Sequence, residues 1–323
     1  MSARDRSRQV SGGARQRRPE TMARMVWRRF LYHKPAVVSL AALAVLLLAA
    51  ILAPLLSPHG PNQIDLDRQL ALPSWEHPLG TDHLGRDLLA RLLYGGRVSL
   101  LIGLLAMAFA TSFGTLVGAL AGYYGGWVDS LLMRLTDVFL CFPGLFVLII
   151  LSLALRQLPI PALRGTALAS ILAIALVIAL LAWMTVAKLV RASFLSLRHQ
   201  DFVEAARAAG VTNARIIWRH ILPNAISPVI IASTFRVATA IITESGLSYL
   251  GFGVQPPTPT WGNMLKNAQE HMLQTGTNGP WAAILPGLMI FVTVVAINFV
   301  GDGLRDALDP HKGQGANPPT QSN

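Results

Sequence analysis

Six apolar runs, each about long enough to cross a bilayer, recur along this chain of 323 residues. Only one charged residue, Arg236, interrupts any of them. A transmembrane helix needs about 20 apolar residues, and hydrocarbon tolerates only backbones whose polar groups are bonded internally. The composition, 53% hydrophobic and 13% charged, excludes a soluble domain. We predict an all-α polytopic membrane protein with six transmembrane helices, at residues 36–56, 98–121, 138–155, 166–187, 225–243 and 282–300.

Basic residues are distributed unevenly around these spans. Ten Lys and Arg against two acids precede Pro35, and six against two lie in residues 188–223, whereas residues 57–97 carry four against five. Basic residues mark cytoplasmic loops. This bias predicts that both termini and the loop at 188–223 are cytoplasmic, in a multi-pass membrane protein. The net charge of +11 is interpreted as a topology signal with contact to anionic lipid, and we expect no nucleic-acid partner.

The first 35 residues predict two different structures. Residues 1–21 are rich in Arg, Gly and Ser, and we expect a disordered basic arm. From residue 22 onward, Val26 and Phe30 share an apolar stripe while Arg24 and Arg28 occupy other faces. This pattern predicts an amphipathic elbow helix that lies in the membrane interface.

A short polar segment separates the fourth and fifth spans. Asp201 is suited to cap a helix with Glu204 at its third position, and Gly210 is suited to end the helix in a left-handed turn. Phe202, Ala205, Ala206 and Ala209 recur at spacings of three and four, so one face carries small side chains that another surface can approach closely. The local pattern alone favours an ordinary capped surface helix, whereas the surrounding membrane-spanning chain favours a docking helix.

Two charged residues lie at membrane depth or near it. Arg236 is near the middle of the fifth span and Glu244 is at its outer end. Intramembrane charges are costly and mark functional sites by default. We expect either that these residues line a substrate pathway, with Arg236 attracting a carboxylate, or that they form a structural ion pair with each other or with a partner.

Residue types that support catalysis or metal binding are sparse. Cys141 is the only cysteine, which excludes a cysteine zinc site, and His59, His77 and His83 lack a recognisable ligand spacing. We therefore predict no metal site and no catalytic residues. None of the four lysines is followed by Ser or Thr, so the phosphate loop of ATPases is missing from the sequence.

Several strings resemble a known family. The segment DFVEAARAAG at 201–210, with LP at 222–223, is similar to the EAA signature of permease subunits of bacterial ABC importers. Four other strings resemble the C-type subunit of the dipeptide, oligopeptide and nickel permeases: HPLGTDHLGRDLLARLLYGGRVSLLIG at 77–103, GYYGGWVDSLLMRLTDVFLCFPGL at 122–145, SYLGFGVQPPTPTWGNML at 248–265 and NFVGDGLRDALDP at 298–310. His220 stands where the general EAA pattern has Ile, as it does in the peptide branch.

The resemblance implies the type I importer fold and a division of labour. A partner permease completes the pathway, one or two P-loop ATPases bind ATP and Mg²⁺, and an extracytoplasmic binding protein delivers peptides; this chain needs no cofactor. The EAA helix would couple it to the ATPases through Asp201, Glu204, Ala205, Ala206, Arg207, Ala209, Gly210, Leu222 and Pro223. The implied segments are the arm (1–21), elbow, first span and external loop (22–97), core permease domain (98–302) with its EAA loop (188–224), and cytoplasmic tail (303–323).

Other functions remain open at this stage. The same machinery imports nickel complexes, opines or glutathione in related systems. An ion-coupled secondary transporter would also be polytopic, although such proteins usually carry several charges within their spans. Sequence motifs of an intramembrane enzyme, such as G-x-S-x-G or H-E-x-x-H, do not occur.

Overall fold

A computed structural model describes residues 22–157 and 166–309 and is helical nearly throughout. The predicted arm and the end of the predicted tail lie outside these residues. The helices are α1 (Met22–Tyr32), α2 (Lys34–Ile51), α3 (Ala53–Leu56), α4 (Leu88–Tyr124), α5 (Gly126–Leu140), α6 (Gly144–Gln157), α7 (Ala167–Leu197), α8 (Asp201–Ala208), α9 (Asn213–Arg215), α10 (Leu222–Tyr249), α11 (Trp261–Ala268) and α12 (Gly279–Leu308).

Among the described residues, five helical segments are long and apolar enough to cross a membrane, by length and composition. They are α2, α4, α7, the segment Asn213–Tyr249 and α12. Each overlaps one predicted span, so the presence of these five spans is confirmed. The first span is shorter than predicted, because α2 ends at Ile51 and residues 53–56 form the separate α3. The other four helical segments are longer than predicted, reaching 37 residues in α4, because helices continue past the hydrocarbon wherever tertiary contacts satisfy their polar residues. Arg91, for example, is buried and donates to the Pro61 carbonyl. The predicted segment boundaries at 97/98 and 302/303 fall inside α4 and α12.

The third predicted span is not a single helix. It is divided between α5 and α6, which meet at a bend of 90°. Pro143 disfavours helical geometry in the residue before it and offers no N–H, so α5 stops at Leu140 and α6 starts at Gly144. The sequence Pro143-Gly144 predicts a kink in this span, and the structure shows a sharp break there. Counting this pair as one span brings the number of candidate spans in residues 22–157 and 166–309 to six.

The centre of the bundle is the contact between α4 and α7. Three glycines of α4, spaced four residues apart, face the backbone of α7. A methyl group on Gly114 would lie 2.6 Å from the Trp183 carbonyl oxygen, and one on Gly118 would be closer still to the Ala187 carbonyl oxygen. A methyl group on Gly122 would lie 2.5 Å from Phe194 Cβ and 2.8 Å from the Arg191 carbonyl oxygen. This row of small residues brings the two helices into backbone contact, as is common between membrane helices.

The elbow helix α1 packs against the end of α12. Phe30 is buried together with Ala36 and Ala307, while Arg29 Nη1 donates to the Asp309 carbonyl at 3.1 Å. Trp27 stacks on Phe30, with 6.0 Å between the ring centroids, and is itself exposed. The predicted amphipathic helix is confirmed, and these contacts fix it to the same end of the bundle as the last turn of α12.

Candidate functional site

The predicted short helix is present as α8, but it is capped differently at its start. Gln200, not Asp201, is the N-cap residue, and it makes no side-chain capping bond. Asp201 is the first helical residue and Glu204 lies in the first turn. The predicted capping box is therefore wrong, while both acids still lie at the positive end of the helix dipole.

The predicted exit turn at Gly210 is confirmed. Gly210 has a φ of +74°, which glycine adopts without steric cost. The Val211 amide donates to the Ala206 carbonyl at 3.1 Å, and the Gly210 amide donates to the Arg207 carbonyl at 2.9 Å. This pair of bonds is a Schellman motif. It satisfies the last carbonyls of α8 and turns the chain sharply towards α9.

The faces of α8 differ in part from the predicted stripe. Val203 is 0% exposed and Ala206 is buried beside it, so Ala206 faces its own chain instead of an approaching surface. Phe202, which is 39% exposed, lies with exposed Ala205 and Ala209 on the outer side. The sequence interpretation missed Val203, although its spacing of three residues from Ala206 was a visible signal of a buried face.

The buried face of α8 is fixed to four neighbouring elements. Val203 and Ala206 belong to one apolar cluster whose other members come mainly from α4, α7, α10 and the turn before α10. Arg207 places its guanidinium 5.5 Å from the centre of the Tyr123 ring. The Tyr123 hydroxyl in turn donates to Asn213 Oδ1 at 2.7 Å. A helix of eight residues is unstable alone, so these contacts hold α8 in place and make it move with α4 and α7.

Leu222 and Pro223 begin the fifth span, as predicted. Pro223 follows Leu222 in the first turn of α10. The six residues before α10, Ile216–Ile221, form a π-helical turn. At its end, the Leu222 amide donates to the Ile217 carbonyl. Because proline lacks an N–H and crowds the carbonyl four residues earlier, a widened turn at this point fits its geometry. The helix then continues from α9 into α10 and couples α8 to the fifth span.

A cavity of about 450 Å³ opens between α4, α6, α7 and α10. The break between α5 and α6 places Gly144 and Leu145 on its wall. Arg236 also lines it and is half-buried. Within residues 22–157 and 166–309, the Arg236 guanidinium forms no ion pair. The cavity is otherwise mainly apolar, so Arg236 is its single charged group.

Glu244 lies away from this cavity. Its side chain is 0% exposed and accepts hydrogen bonds from Ser248 Oγ at 2.7 Å and Ser99 Oγ at 3.2 Å. Ser99 Oγ also accepts from the Trp261 amide at 3.3 Å. Glu244 thus joins α4, α10 and α11. Among the described residues it neither lines the cavity nor forms an ion pair with Arg236, so both expectations for Glu244 differ from the structure. A buried carboxylate needs such hydrogen bonds, which indicates a structural role.

Two family models match the chain. Residues 114–314 match the model described as binding-protein-dependent transport system inner membrane component. Residues 21–73 match the model of the N-terminal TM domain of oligopeptide transport permease C. The two matches together include α8, the elbow helix and the cavity wall apart from Ala106 and Met107.

Curated relatives extend the match over most of the chain. The dipeptide transport system permease protein DppC of Alkalihalophilus pseudofirmus is 39% identical over 287 residues, which cover 89% of each chain. The glutathione transport system permease protein GsiD of Escherichia coli is 41% identical over 285 residues, 88% of this chain and 89% of GsiD.

A solved structure supports the fold independently. A chain of the MetNI methionine ABC transporter superposes with a TM-score of 0.50 at 20% identity, over 67% of this chain and 95% of that chain. This likeness confirms the predicted type I importer permease fold. With the family models and the relatives, it shows that the chain belongs to the inner-membrane permease components of binding-protein-dependent ABC importers, in their oligopeptide permease C-type branch.

Proposed function

We propose that this chain is one of two permease subunits of an ATP-driven importer for di- and oligopeptides, and that α8 is the helix through which ATPase subunits act on it. One observation carries this proposal. The helix is fixed on its Val203 side to α4, α7 and α10, and it exposes Phe202, Glu204, Ala205 and Ala209 on the other. A short helix held rigidly at one side and open at the other is suited to transmit a force applied by a partner.

The partners follow from what the chain lacks and what its family does. Because its sequence has no phosphate loop, ATP and Mg²⁺ would be bound by one or two separate P-loop subunits, and this chain would be non-catalytic. A homologous second permease would close the pathway, and an extracytoplasmic binding protein would deliver the substrate. The basic loops support a cytoplasmic location for α8 and both termini in the bacterial inner membrane, on the side of the ATP pool.

Transport in this scheme is a rigid-body rearrangement. ATP-driven closure of the ATPase pair would pull α8 and its counterpart on the second permease. Since α8 packs against α4 and α7 and continues through α9 into α10, the pull would reach the helices that line the cavity. The cavity would then open to the outside for the loaded binding protein.

The cavity chemistry favours a substrate with a carboxylate. Arg236 is the one cation on a largely apolar wall, and a guanidinium offers two parallel N–H groups that match a carboxylate. The free C-terminus of a peptide meets this requirement. The names of the relatives, a dipeptide permease and a glutathione permease, support peptide-like cargo.

The proposed function is tested by deleting the gene for this chain in its host. We expect ATP-dependent uptake of labelled di- and tripeptides to be abolished and to return with the intact gene. Parallel uptake of labelled glutathione and Ni²⁺ separates the other cargoes. If the deletion abolishes uptake of glutathione or of Ni²⁺ and leaves peptide uptake unchanged, that compound replaces peptides as the proposed substrate. Uptake that stops when the proton gradient is collapsed but survives ATP depletion would contradict the importer mechanism itself.

Arg236→Gln tests the substrate pathway. Removing a charged hydrogen-bond partner costs roughly 1.5–3 kcal/mol, so the KM for peptide uptake should rise on the order of tenfold or more. Arg236→Lys keeps the charge but loses the paired N–H groups, and we expect an intermediate KM. Thr239→Val, on the same wall, is the matched control and should retain a normal KM. Unchanged uptake by Arg236→Gln at equal membrane level would leave Arg236 with a structural role only.

A further inference from the structure

The loop between α3 and α4 brings together three side chains that are distant in sequence. His59, His77 and Asp87 each offer a ligand atom, and these atoms all lie within 4.8 Å of one another. The two imidazole rings are 4.6 Å apart between centroids. This cluster is at the end of the bundle opposite α8, beside the first residue of α4. We propose that it binds a divalent first-row transition-metal ion of the zinc class.

The donor set is suited to such an ion. Two imidazoles and one carboxylate are characteristic ligands of zinc and related ions, whereas Ca²⁺ and Mg²⁺ prefer oxygen ligands. His77 Nδ1 lies 2.9 Å from Asp87 Oδ1. Ligand distances of about 2.0–2.2 Å place two such atoms at roughly a right angle around a zinc ion. A small rotation of either side chain widens this angle to a tetrahedral one.

The remaining contacts of the cluster leave its ligand atoms in position. Asp87 uses its other oxygen, Oδ2, to cap α4 by accepting from the Ala90 amide at 2.7 Å, so Oδ1 remains directed at His77. His77 and Asp87 are both buried. The Nδ1 atom of His59 is buried without a hydrogen-bond partner among the described residues. Such an atom is costly unless it is paired, and a metal ion would satisfy it.

The surroundings favour a cation and provide access for it. A cavity of about 280 Å³ adjoins the cluster and is lined by three carboxylates, Asp65, Glu76 and Asp87, against one guanidinium, Arg68. Arg68 already pairs with Glu76 and Asp65. Water in this cavity would supply the fourth ligand. A bound ion would join the segment after α3 to the first turn of α4 and hold this loop on the bundle.

This inference reverses the sequence prediction that the histidines are not ligands. His59 is 28 positions before Asp87, and His77 is ten before it, so no local spacing signals the site. The inference is independent of the proposed transport function, because it concerns only whether an ion binds to the folded chain.

Zinc titration of the full-length chain tests the site. The chain is purified in detergent through a tag without histidine, stripped with a chelator and titrated with Zn²⁺ against a chromophoric competitor. We expect one equivalent to bind, and His59→Ala and Asp87→Asn each to weaken binding at least tenfold. Bound Co²⁺ should show the intense visible absorption of a four-coordinate site in the wild type and not in the variants.

Both variants are chosen to keep the fold. No hydrogen bond of the His59 ring is found within the described residues, and asparagine retains the oxygen that caps α4. His83→Ala is the matched control, since His83 also stacks on a histidine, His271, at 5.6 Å; it should bind zinc as the wild type does. The proposal is overturned if the wild type shows no saturable binding at micromolar zinc, or if His59→Ala binds as tightly as the wild type.

Discussion

Replacing Gly210 by valine should abolish most substrate uptake while the importer still assembles. Gly210 has a φ of +74°, and a β-branched residue in this region costs roughly 1–3 kcal/mol. An eight-residue helix has little stability to absorb this cost, so the Schellman turn opens and the exposed face of α8 loses its orientation. We expect uptake to fall at least tenfold, and ATP hydrolysis by the complex to lose its stimulation by loaded binding protein.

The matched control for this experiment is Gly276→Val. Gly276 also has a positive φ, +83°. At Gly276, as at Gly210, an added Cβ would meet no atom within 4 Å. Gly276 lies in the loop between α11 and α12, far in sequence from α8. We expect this variant to carry the same backbone strain and to keep at least half of the uptake. If Gly210→Val shows wild-type uptake with an equal amount of the complex in the membrane, the assignment of α8 as the coupling helix is contradicted.

The second large effect is expected from Gly118→Ala. A methyl group at this position would overlap the Ala187 carbonyl oxygen and lie 2.8 Å from Val190 Cβ. The carbonyl belongs to the backbone of α7, so it cannot relieve the clash by a side-chain rotation. Overpacking of this kind costs about 1–3 kcal/mol or more. We expect the unfolding temperature in detergent to fall by several degrees and less of the chain to reach the membrane.

Gly287→Ala is the comparison for this second experiment. It makes the same substitution inside α12, where the new methyl would lie 3.6 Å from Leu265 Cδ1, an ordinary contact. Alanine favours the helix by roughly 1 kcal/mol over glycine, so this variant should unfold at the wild-type temperature or slightly above it. If Gly118→Ala unfolds no earlier than Gly287→Ala, close contact between α4 and α7 does not support the bundle.

Local patterns predicted those features that depend on a few adjacent residues. The turn at Gly210 is one, because only its own backbone conformation demands glycine. The break at Pro143 is another, since proline acts on its immediate neighbours, although its angle depends on where α6 packs. The capping box at Asp201 failed because Gln200, one residue earlier, adopts the extended conformation of an N-cap. Helix ends are decided by the fold around them within one or two residues.

Features that join distant residues were not predictable. The glycines at 114, 118 and 122 are visible as a row in the sequence, but a row indicates a close contact without identifying the helix that makes it. Glu244 appeared as a pathway charge because its position along the span was known, while its hydrogen-bond partner Ser99 lies 145 positions away on another helix. The cluster of His59, His77 and Asp87 escaped notice for the same reason.

The sequence by itself determined the class of protein, the approximate spans, the presence of α8 and the absence of a phosphate loop. These follow from composition and local periodicity, which the bilayer and the backbone constrain directly. Only the tertiary structure decided which face of α8 is free, that Arg236 lines a cavity while Glu244 is buried, and that two histidines meet a carboxylate. Side chains on different helices are brought together by packing, and hydrophobic periodicity shows that a face is buried without showing what it is buried against.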